Sequence, residues 1–299
     1  MQALSRSPLL QGWFAAVLLI LAPPSGMAAA PPGAEVFGAV PHVSDVTLSP
    51  GGNMLAWVQV ESGTSQVVMY DLAAQKARRV LPLGKGTKPR NLTWVDDDTL
   101  LMLVSATYDV TDSANHRYEL WRWVAADASG GEIRQMLKGE REFDWVTGSE
   151  LLSTRPAKPK SVYLSIPDFS AADYQSETGT RLTGHRHSGW VLSVLEVDTT
   201  TGKGRLIQRG NPYTTGWVLD PQGHVLARDE WYADRHQYRL LAAEGAGWRE
   251  LVAQNDGEQL GLVGAQGDAK SVIAIGRRGA SHSKAPILLI HGVDDTVVP

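Results

Sequence analysis

The residues whose types and spacing could do chemistry gather in the run APILLIHGVDDTVVP, Ala285 to Pro299. Ile287 to Ile290 are continuously apolar, and a turn with two carboxylates, Asp294 and Asp295, follows. Such a run reads as a strand buried on both faces, of the kind found in a parallel sheet flanked by helices. An acid at the carboxyl end of such a strand stands where α/β enzymes build their active sites. A second candidate is the pair His185 and His187, whose spacing suits a metal. No third ligand lies nearby, so the pair reads as part of a solvated basic loop with Arg181 and Arg186. The chain has no cysteine, which removes both a disulfide framework and a thiolate metal site. We expect no metal and no cofactor.

The elements that must position these residues are bounded by composition. With 299 residues, 43% of them hydrophobic, the chain can bury a sizeable core in one or two domains. The formal charge of -4 gives no reason to invoke nucleic acid or an acidic membrane. Residues 1–30 read as a signal peptide: Arg6 supplies the positive start, Trp13 to Leu21 the apolar core, and Pro23 to Gly26 the break before small residues. Cleavage fits after Ala28. The apolar run is about half of the roughly 20 residues that a span needs, and no cysteine near the cleavage region offers a lipid anchor. The mature protein is therefore expected in the periplasm or secreted.

From Val43 the chain repeats a unit of four short strands separated by turns rich in Asp, Gly and Pro. The first copy places strands at Val46 to Leu48, Leu55 to Val60, Gln66 to Tyr70 and Arg79 to Leu81. The second places them at Asn91 to Trp94, Leu100 to Val104, Tyr118 to Val124 and Ile133 to Leu137. Most intervals between equivalent turns are roughly 45 to 50 residues, the length of a four-stranded propeller blade. The expected fold is all-β: an incomplete β-propeller of about four to five blades over residues 31–284, ahead of an Ig-like sandwich array. Tryptophans such as Trp57, Trp94, Trp121, Trp190 and Trp217 are expected to fill the space between blade faces. The third copy is interrupted by an insertion loop over about 154–189, rich in Pro and Ser, in which only Val162 to Leu164 reads as strand. It is expected to be the least ordered part of the mature chain.

Phe37 to Pro41 followed by VSDVTLSPGGNMLAWV resembles the first propeller blade of the prolyl oligopeptidase family of serine peptidases, and HGVDDTVVP resembles the stretch around that family's triad acid. The resemblance implies a propeller followed by an α/β-hydrolase domain, hydrolysis of short peptides, and Asp294 as the acid that orients a catalytic histidine. It also implies a serine on a G-x-S-x-G elbow about 80 residues before that acid, and a histidine after it. Asn211 to Val263 reads instead as hairpins. Gly279 to Ser283 is the nearest imitation, but Ser283 replaces the closing glycine, and Ser281 is not expected to be a nucleophile. His291 precedes the acid and is not the missing base.

Residues 285–299 are thus expected to be a remnant of the catalytic domain, joined near Lys284 in a truncated or internally deleted member, and the chain is expected to be inactive. The alternative is a non-catalytic envelope propeller that binds peptide or protein partners. Exposed strand edges favour self-association. Leu260 to Val263 and Ser271 to Gly276 read as the first half of a fifth blade. Pro286 to His291 is expected to pair antiparallel with the second of these strands, or else to hang as a tail.

Overall fold

The computed structural model describes residues 42–109, 117–140, 149–154, 158–168, 190–220, 222–255, 260–265, 271–275, 287–291 and 297–298. They form five antiparallel sheets of four strands, each built in sequence order. Sheet 1 holds β1 (Val43–Leu48), β2 (Met54–Glu61), β3 (Thr64–Asp71) and β4 (Lys76–Pro82). Sheet 2 holds β5 (Thr87–Trp94), β6 (Thr99–Asp109), β7 (Arg117–Asp127) and β8 (Gly130–Gln135). Sheet 3 holds β9 (Glu150–Ser153), β10 (Ser161–Asp168), β11 (Val191–Asp198) and β12 (Gly204–Gln208). Sheet 4 holds β13 (Thr214–Leu219), β14 (Val225–Tyr232), β15 (Gln237–Glu244) and β16 (Gly247–Asn255). Sheet 5 holds β17 (Gly261–Ala265), β18 (Ser271–Ile275), β19 (Ile287–His291) and β20 (Val297–Val298).

The turns follow from side chains that hydrogen-bond their own backbone. Asp96 Oδ1 accepts from the amides of Asp98 and Thr99, Asp198 Oδ1 from those of Thr200 and Thr201, and Asp220 Oδ1 from that of His224. Gly202 closes the β11–β12 turn at φ 73°, and a Cβ there would lie 2.5 Å from the Gln135 carbonyl. Only glycine meets both demands.

Alternation along the strands gives each sheet two faces, and the faces stack. Met54, Ala56, Val67 and Met69 of sheet 1 pack against Leu100, Met102 and Trp94 of sheet 2. The other face of sheet 2, with Leu101, Leu103 and Trp123, meets Val162, Leu164, Ile166 and Leu195 of sheet 3. Val218, Tyr238 and Leu240 of sheet 4 meet Leu260, Val272 and Ala274 beside and within sheet 5. Polar clasps tie neighbours together. Arg79 donates to the carbonyls of Asp127, Gly130 and Gly131, and Lys160 reaches Thr99 Oγ1 at 2.7 Å and Asp96 Oδ2 at 2.8 Å. Trp94, Trp123 and Trp217 are buried between faces as expected, whereas Trp190 stands 39% exposed.

The third repeat departs from expectation. Ser161–Asp168 is an eight-residue strand, buried throughout and paired along its full length with β11. It escaped notice because Ser161, Ser165 and Pro167 interrupt its apolar pattern. The missing Pro167 amide is tolerated because, among the described residues, β9 pairs only with Tyr163 to Ser165 and stops short of Pro167. Of the segment expected as an insertion, residues 155–157 and 169–189 lie outside the described residues. In sheet 5, β19 pairs antiparallel with β18, Ser271 opposite His291 and Ile275 opposite Ile287, and β20 completes the sheet. The carboxyl-terminal apolar run thus occupies the third-strand position, as its hairpin-scale distance from β18 led us to expect. Among the described residues no helix is long and apolar enough to cross a membrane.

Candidate functional site

Asp294, the triad acid implied by resemblance, lies outside the described residues, as do Asp295, Ser281, His185 and His187. The backbone of His291 ends β19 opposite Ser271. Among the described residues one acid–histidine contact occurs, His224 Nδ1 to Asp220 Oδ2 at 2.9 Å, in the β13–β14 turn. The His224 side chain is 77% exposed and no serine is bonded to it, so this pair braces a turn. No group of three or more His, Asp or Glu among the described residues is placed to hold a metal.

The concentrated chemistry sits instead between sheets 3 and 4. Val162, Leu164 and Ile166 face sheet 2, so Ser161, Tyr163 and Ser165 face the other way. Val218 and Ala227 face sheet 5, so Trp217, Arg228 and Glu230 turn toward sheet 3. Across the seam Trp217 Nε1 donates to the Leu192 carbonyl at 3.2 Å, and the Tyr163 hydroxyl to that of Gln222 at 3.3 Å. Gly223, at φ 86°, makes room for Tyr163, whose hydroxyl would lie 2.0 Å from a Cβ there.

Within the seam the Arg228 guanidinium holds Glu230 Oε1 through Nη2 at 2.6 Å and lies 4.2 Å from the Trp248 ring centre. The same oxygen accepts from Asn211 Nδ2 at 2.7 Å, and Glu230 Oε2 accepts from the Tyr232 hydroxyl at 2.7 Å. Burial, reinforced by the Glu230 carboxylate, pushes the Tyr232 phenol up to about 12. Tyr213 stacks on Tyr232 at 4.1 Å and the Arg239 guanidinium sits 5.2 Å from the Tyr232 ring centre. Across the seam, burial raises the Glu196 carboxyl, but Arg205 and Lys158 outweigh it and hold the group below its ordinary range. Arg228 Nε and the hydroxyls of Ser161 and Ser165 are buried without hydrogen-bond partners among the described residues.

Asp229 points to the opposite face of β14, among apolar groups. Burial pushes its carboxyl up to about 6, with Thr215 and Tyr238 offsetting part of the rise. Neither Asp229 Oδ1 nor the Tyr238 hydroxyl completes a hydrogen bond by geometry. A further buried acid, Asp168, accepts from Ser193 Oγ at 3.1 Å and Arg209 Nε at 3.0 Å. The seam's rings, guanidinium and carboxylates largely satisfy one another in the interior between the two sheets. Among the described residues it has no nucleophile held by a base, which covalent catalysis would need. Sequence reasoning, which read Asn211 to Val263 only as hairpins, missed this cluster: Arg228, Asp229 and Glu230 in succession carry no local sign that a neighbouring sheet covers them.

The fold is that of β-propeller blades: all strand among the described residues, in successive four-stranded antiparallel sheets. Among solved structures, an acylaminoacyl peptidase in complex with Z-Gly-Gly-Phe-chloromethyl ketone matches with a TM-score of 0.50 at 12% identity, over 84% of this chain and 37% of that one. Pyrococcus horikoshii acylaminoacyl peptidase matches at 0.49 and 13% identity, over 85% of this chain and 38% of that one. The β-propeller domain of the Trilobed protease from Pyrococcus furiosus matches at 0.49 and 11% identity, over 87% and 71%. The chain therefore spans well under half the length of the first two peptidases. No family model matches the sequence, and no curated protein does.

Proposed function

We propose that this chain is the propeller portion of an exported serine peptidase of the prolyl oligopeptidase type, and that these 299 residues do not themselves hydrolyse peptides. The observation that carries the reading is the stack of blades that aligns 84% of the chain with 37% of an acylaminoacyl peptidase. It is joined to a sequence whose VSDVTLSPGG opening and IHGVDD close resemble the prolyl oligopeptidase family. On this reading Asp294 is the triad acid of a longer peptidase, and the signal peptide delivers the propeller to the periplasm or beyond. Sequencing the DNA on both sides of the codons for Lys284 and Pro299 tests the family. An in-frame G-x-S-x-G elbow with a later histidine supports it, and flanking sequence that encodes neither overturns it.

A second reading, a non-catalytic envelope propeller that binds peptide or protein partners, is favoured by the exposed apolar residues on the edge strand β1, which offer a partner both side chains and an unpaired strand edge. Self-association is a corollary of either reading. Val43, Val46 and Leu48 of β1 are each at least half exposed, and among the described residues no strand of sheet 5 pairs with sheet 1.

A further inference from the structure

Sheet 1 has two faces, and one of them has a neighbour among the described residues: Met54, Ala56, Val67 and Met69 pack against sheet 2. The alternate residues form the other face. Leu48, Leu55 and Tyr70 lie in one cross-strand row, and Trp57, Val68 and Val80 in the next. Val46 and Leu48 flank Thr47, whose partner Ala56 is in the core, so both belong to this second face. Val46, Leu48 and Val80 are 58%, 55% and 45% exposed. The Trp57 and Tyr70 rings lie 5.9 Å apart across the middle.

The charged residues of the sheet stand clear of the centre of this face. Arg79 reaches into sheet 2, and Arg78, at the register shift in β4, leans toward Asp98 of sheet 2 at 4.0 Å. Asp45 sits at the register shift in β1, and Asp71 and Lys76 flank the β3–β4 turn. Glu61 ends β2, where it accepts from Gln66 Nε2 at 2.8 Å. A sheet face left to water carries polar alternate residues, whereas an uncharged apolar one marks an interaction surface. We propose that this face of sheet 1 is a homodimer interface, set against the same face of a second copy of the chain. Freedom from charge at its centre makes the face compatible with itself, as a two-fold contact requires. With the two-fold axis along the strands, β1 of one copy lies over β4 of the other, so Val46 meets Val80 and Trp57 lies over Val68. Four strands about 4.8 Å apart, up to eight residues long at about 3.3 Å each, give roughly 500 Å² per copy. The roughly 1,000 Å² covered in all reaches the lower bound for a specific contact. The dimer rests on the second functional reading, in which β1 belongs to a partner surface, and names the partner as another copy of the chain.

Sedimentation velocity of the purified chain across the micromolar range tests the proposal. A reversible dimer is expected, and Val46→Glu and Val80→Glu, on opposite edge strands of the one face, should each weaken it at least about tenfold by bringing like charges together. Val263→Glu, at a position of sheet 5 that is 58% exposed, should leave the dimer unchanged. Each variant should keep the circular dichroism of the parent chain. The chain has no cysteine, so Val46→Cys mixed with Val80→Cys and a short bis-maleimide gives a second readout. A cross-link between the two variants is expected, and its absence overturns the contact. A monomer at every concentration overturns the proposal, as do larger polymers that Val263→Glu disperses. A dimer lost with Val46→Glu but kept with Val80→Glu also overturns it, since β1 would then pair through its edge, and that outcome leaves the second functional reading standing. A dimer kept by both variants overturns the proposal and that reading together.

Discussion

Leu164 and Ser165 are neighbours on one strand, both about fully buried, and they look into two different interiors. Leu164 enters the apolar interface between sheets 2 and 3, with Leu101, Leu103 and Trp123. Ser165 enters the polar seam between sheets 3 and 4, where its hydroxyl has no partner among the described residues. The strand pattern and sheet geometry are the same on both sides, so the difference is one of side chains alone. The apolar interface gains stability with every side chain buried in it. The seam holds charges and hydroxyls whose desolvation must be offset pair by pair, so its stability depends on which partners are present.

The largest effect should come from leaving a seam charge alone. Glu230→Ala removes the partner of Arg228, whose Nε already lacks one, and is expected to lose about 3–5 kcal/mol in urea unfolding. The pair Arg228→Met with Glu230→Leu should recover most of that loss. A double variant as unstable as the single one would show that the seam is sustained by its charges. Leu164→Ala on the other side should lose about 2–5 kcal/mol through lost burial and a cavity. A loss below about 1 kcal/mol would mean that this interface is not a packed core.

Acids in the two kinds of surrounding should also answer pH in opposite senses. Asp229, on the apolar face that sheet 4 turns toward sheet 5, has its folded pKa raised by burial from 3.8 to about 6. The folded state then holds the proton more tightly, and stability falls as pH rises through that window, by roughly 2–3 kcal/mol. Asp229→Asn should flatten the dependence of the urea midpoint between pH 4 and 7. Glu196, in the seam, has its pKa lowered by Arg205 and Lys158, so its contribution is present above the ordinary carboxylate range and is lost on acidification. Glu196→Gln should remove part of the stability lost below pH 4 and leave the Asp229 window untouched. The smallest effect is expected from Ser165→Ala, within about 1 kcal/mol and toward stabilisation, because the hydroxyl removed makes no bond.

Much of the fold was legible because alternation and turn chemistry agree. Leu55 to Val60 and Gln66 to Tyr70 announce strands, and Pro50, Gly51 and Gly52 announce the turn before them. The β10 strand was legible only in part, as Val162 to Leu164. A strand covered on both faces need not alternate, and serine and proline hide its length. The β18–β19 pairing was legible from chain distance and an unfilled third-strand position. The seam was not legible, since nothing local distinguishes Arg228 to Glu230 on a solvated strand from the same residues under a neighbouring sheet. The resemblance that singles out Asp294 belongs to the sequence alone.

The claim that these residues form a propeller without a working triad is tested most directly with a fluorophosphonate probe on the purified chain, read by intact mass. No mass increase is expected, even after prolonged incubation of the folded chain. A stoichiometric adduct that maps to one serine, and that is lost when Asp294 is changed to Asn, would show a functioning nucleophile and contradict it.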